Sequence, residues 1–174
     1  MIVLNLALNG IYGFDDFSIN FSYPKKIVNS IIEEEHLQGR ERFRYKKAII
    51  LMGANATGKT SMGKALLRIF GYMQTGNPAL LYEMVSSENG SFSIDFVNGD
   101  YRLQRLSAEI DAANSDMKIK YETAEIGVLD SYEKCVEKLA DHTAEATRTT
   151  MALKKLVGEV RCRFAYPEIE KSLK

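Results

Sequence analysis

One loop constrains what this chain can fold into more than any other part of its sequence. Residues Gly53 to Thr60 read G-A-N-A-T-G-K-T and fit the pattern G-x-x-x-x-G-K-[ST]. The apolar residues 48–52 before them predict a short buried strand, and the amphipathic run from Ser61 to Phe70 predicts a helix. A strand, this loop and a helix, in that order, form the context in which backbone N–H groups wrap a polyphosphate. The sequence therefore predicts an α/β fold that binds a nucleotide.

The residue types in this loop match what a polyphosphate requires. Gly53 and Gly58 let the backbone curl so that successive N–H groups point inward, and the positive end of the following helix adds to the field. Lys59 supplies a mobile cation for the β and γ phosphates and is the predicted catalytic residue, while the Thr60 hydroxyl is the predicted ligand of Mg²⁺. The predicted nucleotide-binding residues are Gly53, Asn55, Ala56, Thr57, Gly58, Lys59, Thr60 and Ser61.

Composition argues against several other classes of function. The 23 basic and 23 acidic residues balance, so no overall basic field draws the chain towards nucleic acid or acidic lipid. Cys135 and Cys162 lack C-x-x-C spacing, which predicts two reduced thiols, and the isolated His36 and His142 do not indicate a metal site. The N-terminus lacks the basic start of a secretory signal, and no apolar run is long enough to cross a membrane. We expect a cytoplasmic protein without a membrane partner.

Alternating hydrophobicity predicts antiparallel strands on both sides of the loop. Residues 2–8 and 17–21 predict two strands ahead of it. After the helix, residues 91–106 predict a β-hairpin around Asn98-Gly99, because that pair supplies the positive backbone angles of a tight turn. The other stretches predict a short helix over 27–32, loops over 71–78 and 107–116, a helical turn over 79–85 and a strand within 117–130.

From Ser131 onward the pattern is helical. Tyr132, Val136 and Leu139 share one face of a first helix, and a second helix is predicted over residues 151–160. We divide the chain into a lobe over residues 1–130 that carries the loop, and a helical arm or insertion that starts within 131–174. The predicted fold class is α/β: a P-loop lobe with mixed or antiparallel N-terminal strands, a β-hairpin after the P-loop helix, and a helical C-terminal part.

Two further stretches carry charged residues with a candidate role. The run GRERFRYKK, from Gly39 to Lys47, reads as a solvated loop, with a phosphate or nucleic-acid contact as its functional alternative. The run from Ile126 to Asp130 could be a Walker B strand that places Asp130 on Mg²⁺, but Ser131 stands where a catalytic acid would follow. We favour a helix cap as the role of Asp130.

The loop resembles the P-loops of ABC-type ATPases, and Asn55 at its third position carries much of that resemblance. The similarity is to the branch that holds RecF, the SMC proteins with their DNA-repair relatives, and the OLD-like AAA family ATPases of bacterial defence. The stretch from Leu6 to Phe21, with Asn9 in its turn, and the hairpin from Ser91 to Leu106 resemble the same branch. The resemblance covers the lobe over residues 1–130 and implies ATP and Mg²⁺ as ligands.

Two features of that branch are missing from the sequence. Gly10, Ile11 and Tyr12 occupy the turn where a basic residue often follows the N-terminal Asn. The S-G-G signature, the Walker B strand ending in Asp-Glu and the switch histidine are also missing. The resemblance therefore implies the N-terminal lobe of an ATPase with half of a composite ATP site. It further implies as partners a C-terminal ATPase half, on the same or another chain, a second head in a homodimer, and DNA or an effector protein.

Two other functions stay open on the sequence. A self-contained small P-loop kinase would need an Arg-rich lid and an acidic base beside the P-loop, and no D-x-D or D-R pattern follows the loop here. An interaction module that binds nucleotide only to hold its shape is the second alternative. The favoured interpretation is an ATP-binding lobe that acts in DNA repair or antiphage defence and hydrolyses ATP weakly on its own.

Overall fold

A computed structural model describes residues 1–23, 35–54 and 57–141 of the chain. The elements in these ranges are β1 (Ile2–Asn9), β2 (Phe17–Asn20), β3 (His36–Leu37), β4 (Arg40–Arg44), α1 (Lys59–Thr75), α2 (Ala79–Tyr82), β5 (Asn89–Val97), β6 (Arg102–Asp111), β7 (Asp116–Glu125) and α3 (Tyr132–Asp141). The helices predicted over 27–32 and 151–160 lie outside the described residues, as do Asn55 and Ala56.

Five of the strands form one antiparallel sheet in the order β2-β1-β5-β6-β7. β5 and β6 form the predicted hairpin, with Val97 paired to Leu103 across the turn. β3 and β4 form a separate two-stranded antiparallel sheet. The molecule is thus mixed α/β with few helices in the described ranges, and its antiparallel N-terminal strands confirm that part of the predicted fold class.

The first hydrophobic core lies between one face of this sheet and α1. Side chains at every second position of β1, β5 and β6 point to it because strand residues alternate between faces. The helix contributes residues at i, i+3 and i+7 spacing, which fall on one side of it. The helix residues buried here are Met62, Ala65, Ile69, Tyr72 and Met73.

The second core lies on the opposite face, under α3 and the β3–β4 hairpin. Its largest fully buried side chain is that of Phe43, whose ring meets the Tyr132 ring edge-on at 6.4 Å between centroids. Beside it, the fully buried Asp95 accepts hydrogen bonds from Arg105 at 2.6 and 2.7 Å and from the Tyr132 hydroxyl at 2.6 Å. These bonds raise the pKa of the Arg105 guanidinium, and burial raises the pKa of Tyr132. The network satisfies a buried carboxylate and fastens α3 to the sheet.

Several predicted boundaries were wrong because tertiary packing outweighed local propensity. α1 begins at Lys59 and continues through the predicted loop to Thr75, since Tyr72 and Met73 are buried against the sheet. It ends at Gly76, whose φ of 71° suits glycine and whose N–H bonds to the Tyr72 carbonyl at 2.7 Å.

Two stretches that were predicted to be loops form β-strands in part. β6 runs on to Asp111, through the first half of the predicted loop over 107–116, because it is paired on both sides by β5 and β7. The basic run is not a solvated loop either: residues 40–44 form β4, and its Phe43 is fully buried. Arg40 donates from Nε to the Ile126 carbonyl at 2.9 Å and lies over the Tyr101 ring.

Within the described ranges, no helix combines the length and the hydropathy needed to span a bilayer.

Candidate functional site

The side chain of Lys59 folds back onto described residues of the predicted P-loop. Its ammonium nitrogen donates to the carbonyls of Gly53 at 2.8 Å and Ala54 at 2.6 Å, and lies 3.0 Å from the Thr57 hydroxyl. That hydroxyl in turn donates to the Ala54 carbonyl at 2.9 Å. An ammonium group has three hydrogens, so each has an acceptor within the loop. The lysine therefore lies against the loop it follows rather than out in solvent.

Both framing glycines are required by this geometry. Gly53 has a φ of 156°, and a Cβ there would lie 3.0 Å from the Thr57 hydroxyl. Gly58 has a φ of 83°, and a Cβ there would lie 2.9 Å from two carbons of the Phe14 ring. A side chain at Gly58 would thus meet both backbone strain and a steric clash.

The start of α1 has the electrostatic character of an anion site. Gly58 is its N-cap and makes no side-chain capping bond, and the first turn carries no acidic residue. The positive end of the helix is therefore not compensated by the side chains of its own first turn. Lys59 adds a full positive charge at the same end.

A cleft of about 550 Å³ opens beside the loop. One wall consists of the predicted binding residues Thr57, Gly58, Lys59, Thr60 and Ser61. Gly53 contacts this group through its carbonyl, whereas Asn55 and Ala56 lie outside the described residues. The structure thus brings most of the predicted residues together at one cleft, while nucleotide and Mg²⁺ binding there stay predictions.

The opposite wall of the cleft comes from the β1–β2 turn and was not predicted. It consists of Tyr12, Gly13 and Phe14. The sequence signal for these residues was weak, since the basic residue that often occupies this turn in the resembled branch is absent. Asn9, the residue that carried the resemblance, accepts a hydrogen bond from the Asp16 N–H at 3.2 Å and so helps to close the turn.

The β1–β2 turn is fixed to the loop that follows α2. The Tyr12 N–H donates to the Met84 carbonyl at 3.0 Å, and the Gly13 N–H donates to the Ser86 hydroxyl at 2.7 Å. The Ser86 N–H returns a bond to the Gly10 carbonyl at 2.9 Å. Tyr12 adopts a φ of 47°, which is uncommon for a bulky residue. These bonds hold the aromatic wall of the cleft in place.

Asp130 is part of an ion-pair cluster rather than a strand end. Residues 126–130 form a turn, and the Asp130 carboxylate accepts from the Gly127 N–H at 2.7 Å, from Lys134 at 3.0 Å and from Lys138. The hydrogen bond from Lys138 is the main cause that holds the pKa of Asp130 well below its usual range. Its oxygens are therefore already engaged by protein donors.

The predicted capping role of Asp130 was wrong. Ser131 precedes α3 directly, its hydroxyl accepts from the Lys134 N–H at 3.4 Å, and its carbonyl accepts from the Cys135 N–H at 3.1 Å. Ser131 is thus the N-cap, which fits the preference of serine for that position. The carboxylate of Asp130 turns back to Gly127 instead.

The segment before the P-loop departs most from expectation. Residues 48–52 are not in a strand, and the described residues supply no strand that pairs with them. Their large side chains are exposed: Ile49 by 42%, Ile50 by 79%, Leu51 by 42% and Met52 by 83%. The predicted buried strand is therefore absent, because burial requires a neighbouring layer that the five-stranded sheet does not provide.

The described residues contain no cluster of three or more His, Cys, Asp and Glu side chains suited to a metal ion. Cys135 is a free, buried thiol, and burial raises its pKa to about 11. A thiol of this kind stays protonated at neutral pH and packs as a small apolar side chain.

The chain matches no protein-family model and no curated protein. The functional interpretation therefore depends on the residues and their geometry.

Proposed function

We propose that this chain is the ATP-binding N-terminal lobe of an ABC-type P-loop ATPase of the RecF, SMC and OLD-like group. The observation that carries the proposal is the position of Lys59, which bonds to the carbonyls of Gly53 and Ala54 at the start of α1. In the nucleotide complex, β- and γ-phosphate oxygens replace those carbonyls as acceptors, since charged acceptors form the stronger hydrogen bonds. The Thr60 hydroxyl then binds Mg²⁺ beside them.

We further propose that hydrolysis needs residues supplied by a C-terminal ATPase half. Two observations support this part. Asp130, the acid that the sequence offers nearest to a Walker B pattern, is engaged by Gly127, Lys134 and Lys138. Exposed apolar side chains at residues 48–52 also suit a strand that another unit covers, because an uninterrupted apolar run is typical of strands buried on both faces. The acid that activates the attacking water would come from that unit.

The resemblance extends the proposal to the assembled protein. ATP would join two heads in a homodimer, hydrolysis would release them, and the cycle would act in the cytoplasm on DNA or on an effector protein, in repair or antiphage defence. A gel-filtration experiment with light scattering, run with and without the Mg²⁺ complex of a non-hydrolysable ATP analogue, tests the joining step. An unchanged mass in the presence of the C-terminal half would argue against it.

The binding step is tested by calorimetry on Lys59→Ala. We expect this variant to lose about 100-fold in affinity for Mg²⁺-ATP, because a charge-assisted contact to two phosphates disappears. The matched control is Lys64→Ala, since Lys64 is an exposed lysine of the same helix that does not line the cleft. We expect its affinity to stay within about twofold of the original.

Two results would contradict the proposal. Equal affinity in the two lysine variants would show that the P-loop is not the nucleotide site. Rapid steady-state hydrolysis by the isolated chain, abolished by Lys59→Ala, would show that the chain needs no second half.

A further inference from the structure

We propose that Phe14 is a positioning residue of the P-loop. Its ring, presented by the β1–β2 turn, holds Gly58 in the left-handed conformation from which α1 starts. The proposal deepens the proposed function, on which it rests, because it names the residue that shapes the phosphate-binding loop from outside the loop motif.

The Phe14 ring fills the space beside Gly58. A Cβ added to Gly58 would lie 2.9 Å from both Cε1 and Cζ of Phe14, a separation that real Cβ atoms essentially never show. The ring therefore occupies the space in which any side chain at Gly58 would stand. The φ of 83° alone would already favour glycine, and the ring adds a second, independent reason for it.

Contacts within the β1–β2 turn and with the Phe17 ring restrict the position of the Phe14 ring. The Phe14 N–H donates to the Ile11 carbonyl at 2.8 Å, and the ring packs on that of Phe17 at 4.6 Å between centroids. The neighbouring residues Tyr12 and Gly13 are bonded to Met84 and Ser86, as described above. The turn thus holds the ring on one side, and the space beside it on the other side is taken by the backbone of one residue. Here that is Gly58.

Gly58 connects the loop to α1 as the N-cap of that helix. Its carbonyl accepts the first helical bond, from the Met62 N–H at 2.9 Å, and its φ sets the direction in which the N–H groups of residues 59–61 point. Glycine can adopt both signs of φ at little cost, so without a neighbour it would sample several loop shapes. Because a preformed site binds more tightly than one that must be ordered, the ring raises phosphate affinity without touching phosphate.

The test compares Phe14→Ala with Phe70→Ala in the full chain. Both side chains are partly buried against the first core, but Phe70 lies in the second half of α1 and does not line the cleft. The readouts are hydrogen exchange at the amides of residues 57–61, affinity for Mg²⁺-ATP by calorimetry, and the thermal midpoint. We expect Phe14→Ala to speed exchange at these amides and to weaken affinity about tenfold, and Phe70→Ala to stay within about twofold on both at a similar loss of thermal midpoint. If Phe14→Ala does not fold, Phe14→Leu serves in its place.

A double-mutant cycle with Gly58→Ala tests the contact itself. In the original background we expect Gly58→Ala to weaken affinity about 100-fold, since both strain and the clash with the ring act on it. With Phe14→Ala already present, the further loss should be about tenfold or less, because only the backbone strain remains. Fully additive losses would overturn the contact as the means of positioning.

The two proposals fail in different ways. Equal exchange at residues 57–61 in Phe14→Ala and Phe70→Ala would overturn the role of Phe14, even if the original chain binds ATP. Conversely, a chain that binds no nucleotide would overturn the proposed function, while exchange at the same amides still decides whether Phe14 holds the loop.

Discussion

Two segments of this chain, both predicted to be strands, have opposite environments. In β5, Ile94 and Phe96 are fully buried between β1 and β6 and under α1. In residues 48–52, Ile50 and Met52 are mostly exposed and no described strand pairs with them. Residues 48–52 are apolar without interruption, whereas β5 alternates apolar with polar side chains, so hydrophobicity alone favours burial of residues 48–52 at least as strongly. The neighbours of the two segments differ, because β5 is followed at once by its hairpin partner.

An apolar run indicates that a segment is suited to burial, but it does not specify which part of the fold covers that segment. A hairpin partner is specified locally by a turn such as Asn98-Gly99. A strand buried on both faces needs partners from distant parts of a fold, and nothing within the segment specifies them. Three substitutions test this contrast, and they are given in order of decreasing effect.

The largest effect is expected in the sheet. Phe96→Ala should lower the free energy of unfolding by about 3–5 kcal/mol, because it removes a fully buried ring and leaves a cavity. Urea denaturation measures this, with Met52→Ala as the matched control, which should cost under about 0.5 kcal/mol. A large loss for Met52→Ala in the isolated chain would mean that residues 48–52 are packed in solution.

A smaller, pH-dependent effect is expected where α3 joins the sheet. Lys138 first, then Lys134, holds the pKa of Asp130 below that of an ordinary carboxyl, so Asp130 stabilises the fold wherever it is ionised. We expect the chain to be more stable than Asp130→Asn by about 1 kcal/mol at pH 7. This advantage should hold down to about pH 5 and shrink as the pH falls below about 4, through the lowered pKa.

Thermal midpoints of the two chains between pH 2.5 and 7 check this prediction. Asp116→Asn provides a control, since Asp116 is an exposed residue at the start of β7. An advantage of Asp130 that grows on acidification would contradict the direction of the pKa shift.

The smallest effect is expected in the exposed segment itself. Ile50→Ser should leave the stability of the isolated chain within about 0.5 kcal/mol of the original, because the side chain is 79% exposed. If the segment is covered by a C-terminal half, the same change should weaken association with that half in a pull-down from purified components. An unchanged association would remove the support that this segment gives to the proposed partner.

Local chemistry was enough to predict much of the lobe. A mostly apolar run located β1, period-two alternation located β2 and the β5–β6 hairpin, and the amphipathic run from Ser61 located α1, two residues after its observed start. The same reasoning did not predict that Tyr12, Gly13 and Phe14 line the cleft. These residues lie beside the predicted P-loop only in the folded chain, where the β1–β2 turn packs near the start of α1. It also assigned the capping role to Asp130 instead of Ser131, since both residues are suitable caps by type and only the packing of Lys138 distinguishes them.

The sequence by itself determined the elements whose information is local: the glycine-framed loop with Lys59 and Thr60, the amphipathic face of α1 and the Asn98-Gly99 turn. Each follows from the conformations that neighbouring residues permit. Only the tertiary structure decided that α1 continues to Thr75, that the ring of Phe14 lies on Gly58, and that residues 48–52 lack a covering layer. These features depend on contacts between residues far apart in the chain. The free energy of burying apolar surface is gained only when the two contacting surfaces have been brought together.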